Sequence, residues 1–181
     1  MDMLQWKMEV INNPVKRGIP VLSFPVTKLM GITVRELISD SDTLAKGMKL
    51  LADRLPTLAS LSMMDLTVET ECFGGMVDIY EDAIPSVTNV VVHNRADAEA
   101  LQVPAVGTGR TQIYIDAIRK AKDLITDRPV FAGIIGPYTL AGRLMGMSEL
   151  MTASVTDPET VKIVMEKATE FIINYAKAYK E

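Results

Sequence analysis

The residues able to do chemistry in this chain are few and fall into two short stretches. Asp65 lies near the C-terminal end of a mostly apolar run, Ala59–Leu66. A charge at the end of a buried strand needs a partner or a ligand, so Asp65 is a candidate catalytic residue, with capping of the next turn as the alternative. Glu69 and Glu71 follow on what reads as the same strand-to-helix loop. Acids this close can poise a proton or hold a cationic group, although solvated loop acids are common. Glu69 is the second catalytic candidate. The other stretch, Gly136-Pro137-Tyr138-Thr139, joins an apolar run to a helix. The free N–H groups at such a start can face a sulfonate, phosphate or carboxylate. Gly136, Tyr138 and Thr139 are therefore candidate substrate-binding residues, and Arg143, further along the helix, completes an anion site. The alternatives are an ordinary turn with proline at the first helical position and a surface cation.

Metal chemistry has little to work with. The chain has one cysteine, Cys72, and one histidine, His93. A catalytic zinc takes about three protein ligands drawn from His, Cys and carboxylates, and neither residue has a ligand-spaced partner. No metal ligand is assigned. Cys72 reads as a small buried hydrophobe, and His93, in the polar stretch His93–Asp97, as solvated. The chain has twelve methionines. Helical spacing makes Met48 and Met165 core residues rather than a cofactor box.

The elements that must carry these residues alternate in type. Helices are expected over 3–12, 34–38, 41–55, 110–125, 137–145 and 157–180, with a helical turn at 96–101. Asp40 or Ser41 offers an N-cap for the third. Asp157-Pro158-Glu159 gives the last one a cap, a first-turn proline and an acid. Ala59–Leu66 and Pro129–Ile135 read as buried strands, Ile19–Phe24 as a further strand, and 76–80 with 86–92 as a hairpin. Strands alternating with amphipathic helices imply βαβ units around a parallel sheet, here within a single domain over 1–181. A complete (β/α)8 barrel takes about 250 residues, so the fold expected is α/β: part of a TIM-type barrel with an extended excursion near 76–92.

Composition narrows the partners. The 181 residues are 48% hydrophobic and 23% charged, with net charge −4 and no basic run. That excludes a disordered chain and argues against nucleic acid and anionic membrane. No apolar stretch approaches the ~18 residues of a spanning helix, and the N-terminus does not read as a signal peptide. A lone cysteine fits a reducing cytoplasm.

Three stretches resemble the uroporphyrinogen decarboxylase superfamily: Gly31–Asp40 leading into the helix at Ser41, Met63–Glu71 leading to Gly74-Gly75, and Gly133–Ala141. They occur in the family's order, and the resemblance extends over nearly the whole chain. It implies that Asp65 matches a catalytic aspartate of the decarboxylase pattern. True decarboxylases carry an arginine-rich segment whose guanidinium forks grip tetrapyrrole carboxylates. The corresponding stretch here, Leu22–Met30, holds one lysine and no arginine. The resemblance thus leans to the corrinoid-dependent, methylcobamide:coenzyme M branch, and to its N-terminal half.

For that branch the resemblance implies methyl transfer from a methylcobamide protein to a thiol such as coenzyme M, or to a folate-like acceptor. It implies a zinc that holds the acceptor as thiolate. The family's zinc ligands, a His-x-Cys pair and a later Cys, have no counterpart in this sequence. The implied partners are a corrinoid protein and a small methyl acceptor. The alternatives are a tetrapyrrole decarboxylase and a non-catalytic fragment or docking module for a corrinoid protein. An open sheet edge and unpartnered helix faces would favour a homo-oligomer.

Overall fold

The structure, a computed structural model, describes residues 2–22 and 24–181. In chain order its helices and strands begin with α1 (Met3–Asn12), α2 (Val26–Met30), α3 (Val34–Ser39), α4 (Ser41–Arg54), β1 (Ser60–Leu61) and α5 (Val68–Cys72). They continue with β2 (Val77–Asp78), β3 (Ser86–Val87), α6 (Arg95–Ala100) and α7 (Thr111–Leu124). The last are β4 (Val130–Phe131), α8 (Pro137–Met145), α9 (Met147–Thr156) and α10 (Pro158–Lys180). The fold is α/β, dominated by helix, and divides into two compact units.

One unit contains the residues up to Met64 together with Asp116–Gly133. Its strands β1 and β4 pair in parallel, with Ser60 opposite Val130 and Leu61 opposite Phe131. Ser62 extends the contact by accepting from the Gly133 N–H through its hydroxyl at 2.7 Å. A Cβ at Gly133 would lie 2.1 Å from the Met64 sulfur, so a larger residue there would require the Met64 side chain to move. Local chemistry starts α3 and α4. Thr33 and Glu36 form a reciprocal capping box on α3, and the Asp40 carboxylate accepts from the Thr43 N–H at 2.8 Å to start α4. The apolar face of α4 (Leu44, Ala45, Met48, Ala52) is buried, as are Leu37 and Ile38 of α3 and Val26 of α2. Arg128, just before β4, donates to the Leu55 carbonyl at 2.7 Å and the Thr57 hydroxyl at 3.0 Å, which holds the segment between α4 and β1.

The other unit contains Asp65–Ile115 and Ile134–Glu181. Its core joins Phe73, Ile115, Leu140, Leu144, Leu150, Val164, Ala168, Phe171 and Tyr175. Phe73 and Phe171 meet edge to face at 5.3 Å. Strands β2 and β3 form an antiparallel pair, Val77 opposite Val87. The Lys167 ammonium on α10 donates to the carbonyls of Ala98, Glu99 and Leu101 at 2.6–2.7 Å, and so closes the C-terminal end of α6.

The helices expected from periodicity and caps are present, and Asp157 caps α10 as its position implies. The strands differ. Ala59–Leu66 and Pro129–Ile135 contract to two paired residues each, because a ladder exists only where the two runs meet. Residues 19–22 and Phe24 form no strand and are mostly exposed; Ser23 of that expected strand lies outside the described residues. Glu69 and Glu71 sit on the short helix α5, not on a loop. Residues 147–156, for which no element was expected, form a further helix, α9.

Candidate active site

Asp65 follows β1 by a short extended segment and turns the chain into α5. Its Oδ1 accepts from the Thr67 N–H at 3.0 Å and from the Thr67 hydroxyl at 2.7 Å, an Asx-type turn that fixes the carboxylate. Its Oδ2 is ion-paired with Arg110 and accepts from the Tyr114 hydroxyl at 3.2 Å. Asp65 and Arg110 are both buried. Arg110 also donates through Nε to Glu71 at 2.7 Å and through Nη2 to the Thr67 hydroxyl at 2.8 Å. Burial works to lower the guanidinium pKa, but the charges of Asp65 and Glu71 outweigh it and the pKa is raised. The arginine thus gathers two carboxylates and leaves both with a fixed partner.

Glu69 is different. It is 3% exposed, and its Oε1 accepts from the Ile135 N–H at 3.2 Å, just before the start of α8. Its Oε2 is buried without a hydrogen-bond partner among the described residues. Burial pushes its pKa up and the nearby Asp65 charge adds to this, against backbone hydrogen bonds and the charge of Arg143. A carboxyl in that setting can hold or pass a proton. The helix carrying it ends at Cys72, and Gly74 and Gly75 follow shortly after. A Cβ on Gly75 would meet the Thr70 carbonyl oxygen at 2.9 Å, and Gly74 takes a φ of 88°.

The anion-binding candidates gather only in part. Gly136 is the N-cap residue of α8, with Pro137 in its first turn. Thr139 and Arg143 line a cleft of about 460 Å3 with Val87–Val90, Gly142, Gly146 and Met147. The Arg143 Nε is buried and has no partner among the described residues. Tyr138 does not join them; it is exposed and outside the cleft lining.

Cys72 is buried, and its thiol donates to the Thr108 carbonyl at 3.0 Å. Burial, with the charges of Glu71 and Glu69, pushes it up to about 11, so it stays a thiol at neutral pH. His93 is exposed. Among the described residues no three His, Cys, Asp or Glu side chains converge to hold a metal. The zinc implied by the resemblance therefore does not fit the residues of this chain, and no step is routed through it.

Arg110, Tyr114, Tyr175 and Tyr179 are absent from the sequence-derived candidates. The tyrosines read as members of apolar helical stripes, and Arg110 as the start of a helix. Their signal is the hydroxyl, since a tyrosine on a core-facing stripe must find a polar partner. Tyr114 finds Asp65, and Tyr179 donates to Tyr175 at 2.6 Å.

The sequence profile described as Uroporphyrinogen decarboxylase (URO-D) matches residues 21–181. A methylated-thiol–coenzyme M methyltransferase of Methanosarcina mazei is 28% identical over 125 residues, which cover 66% of this chain and 32% of that protein. A methylcobamide:CoM methyltransferase, MtbA, of Methanosarcina acetivorans is 30% identical over 121 residues, covering 65% of this chain and 35% of that protein. A uroporphyrinogen decarboxylase of an Anaeromyxobacter species is 32% identical over 98 residues, covering 51% of this chain and 28% of that protein. A solved methyltransferase from Methanosarcina mazei shares the fold with TM-score 0.81 at 24% identity, over 97% of this chain and 54% of that one. The aligned part thus spans about a third of these curated relatives' length. No helix among the described residues is long and apolar enough to cross a membrane.

Proposed function

The chain belongs to the uroporphyrinogen decarboxylase family, and from that premise we propose that it forms the N-terminal part of a corrinoid-dependent methyltransferase. The methyl group would pass from a methylcobamide protein to a small acceptor, a coenzyme M-like thiol in the first instance and a folate-like molecule in the second. The proposal draws support from the activities of the relatives, two of which are coenzyme M methyltransferases. The observation that carries it is that a buried Glu69 oxygen and a buried Arg143 Nε, each without a hydrogen-bond partner among the described residues, lie in one unit of the fold. Such groups are unfavourable in a structural core and are useful in a ligand site.

In this reading each residue has a distinct task. Arg110 holds the Asp65 and Glu71 carboxylates in place, so that Asp65 keeps a fixed orientation in the site. Glu69 handles the proton. Arg143 and Thr139 receive the anionic tail of the acceptor in their cleft, with the N–H groups at the start of α8 beside Gly136. The thiol sulfur bonds to the methyl carbon as the carbon–cobalt bond breaks. That bond's electron pair leaves with the corrinoid, and the thiol proton is released to the protein. Zinc chemistry, if the complete enzyme uses it, needs ligands beyond those this chain offers.

The parallel β1–β4 pair is read as two strands of a partial (β/α)8 barrel, the whole chain as one domain of it, in a cytoplasmic homo-oligomer. A tetrapyrrole decarboxylase is the second reading, favoured by the Anaeromyxobacter relative. The arginine-free stretch Leu22–Met30 weighs against it. Calorimetric titration separates the two. A small sulfonated thiol is expected to bind the wild type, and Arg143→Ala to weaken it about tenfold, a loss of about 1.4 kcal/mol. Tight binding of a porphyrinogen with none of the thiol would overturn the methyltransferase reading.

A further inference from the structure

Asn89 has no task in the function proposed above, yet it lines the cleft of about 460 Å3 that holds Thr139 and Arg143. It follows β3, and its side-chain Oδ1 accepts from the Met76 N–H at 2.7 Å. The Thr88 N–H donates to the Met76 carbonyl at 3.0 Å, so main chain and side chain together extend the β2–β3 pairing. With Oδ1 taken by a donor, the capacity left to Asn89 is its NH2 group, which only donates. The wall it belongs to is fastened to α8: the N–H groups of Val91 and Val92 both donate to the Leu144 carbonyl, at 2.8 and 2.9 Å. From α8 come Thr139 and, one helical turn on, Arg143, whose Nε is buried without a partner among the described residues. Arg143 is the one charged residue among those described as lining the cleft, and none is acidic. The Glu149 carboxylate, close to Gly146, lines the neighbouring cleft beside His93 instead. Val87, Val90 and Met147 add apolar surface.

We propose that Asn89 touches the ligand of this cleft and makes it select a tetrahedral oxyanion on a short aliphatic chain, a sulfonate or phosphonate, over a carboxylate. Arg143, Thr139 and Asn89 supply donors from two separate segments of the chain, and an oxyanion supplies only acceptors. A guanidinium fork by itself satisfies both oxygens of a planar carboxylate, which leaves the Asn89 NH2 to water. A tetrahedral head group has a further oxygen for that NH2, and the hydrogen bond is charge-assisted. The apolar residues take the chain. That the ligand is the methyl acceptor rests on the function proposed above; the selection among oxyanions does not.

The test is calorimetric titration with ethanesulfonate and with propionate, neither of which carries a thiol. Ethanesulfonate is expected to bind the wild type about tenfold or more tightly than propionate. Equal affinities, or no binding of ethanesulfonate, overturn the selection without any variant. Asn89→Asp keeps an oxygen for the Met76 N–H and replaces the NH2 by a second oxygen, so the preference for ethanesulfonate should disappear. A negative charge that merely stood nearby would weaken both ligands alike and keep the preference, and that result overturns the contact. Should Asn89→Asp not fold, Asn89→Ala decides by the same ratio: a lost preference supports the contact and a retained one overturns it. A preference that depends on Asn89, with no methyl transfer, would leave the selection standing and remove only the proposed reaction. Methyl transfer with the preference intact in Asn89→Ala would do the reverse.

Discussion

Arg110 touches Asp65, Glu71 and Thr67 at once, in a setting where an unpaired charge is strongly unfavourable. Removing one member of a buried pair costs about 3–5 kcal/mol, because the other charge remains without compensation. Arg110→Met should therefore destabilise the protein by about that much in urea unfolding. Adding Asp65→Asn should restore part of the loss, giving a coupling energy of about 1–3 kcal/mol in a double-mutant cycle. Strict additivity would contradict the buried pair. Glu69 makes the opposite kind of contribution. Its folded pKa lies above its usual value of 4.5, so the folded state binds the proton more tightly than the unfolded chain. Wild-type stability should fall as pH rises through the window between those two pKa values, and level off above it. Glu69→Gln should lack that fall and gain on the wild type as pH rises above 4.5. Parallel curves for the two proteins would mean that Glu69 is not perturbed. At this scale Asp65 and Glu69 were legible as candidate carboxylates following a strand end, and Arg143 as a candidate cation along a helix. Arg110 was not, because nothing local marks an arginine whose partners lie some forty residues earlier in the chain.

Helices with a cap and a sustained apolar face were legible, and α4 and α10 are the clearest cases, each started by an aspartate side chain. Short or inverted elements were not. The five residues of α5 are too few for a period to emerge, so Glu69 and Glu71 looked like loop acids. The apolar stripe of α9 (Met147, Met151 and Val155) points outward, at 46%, 62% and 84% exposure, and the helix begins at a glycine with φ 88°. Neither feature announces a helix. Strand lengths were overstated for a different reason. A buried apolar run can be extended without being laddered, and pairing depends on where a distant segment lies. Ser62 shows the point, since it continues the contact beyond β1 through its hydroxyl rather than its backbone carbonyl.

At the scale of the whole molecule, apolar surface remains uncovered. Besides the α9 stripe, Leu4, Met8 and Ile11 of α1 are exposed. Exposed apolar area costs about 25 cal/mol per Å2, and contiguous patches mark contact surfaces. Sedimentation equilibrium at micromolar concentration should therefore show self-association, most simply a two-fold dimer; a clean monomer with cooperative unfolding would contradict this.

The central claim, that the Asp65–Glu69 site serves methyl transfer to a thiol, is tested most directly by turnover. The protein expressed from its complete gene is mixed with a methylated corrinoid and a sulfonated thiol, and the methyl thioether is quantified. Thioether formation is expected, slowed about tenfold or more in Glu69→Gln, equivalent to at least about 1.4 kcal/mol in the barrier. No thioether from the wild type, or equal rates from wild type and Glu69→Gln, would contradict it.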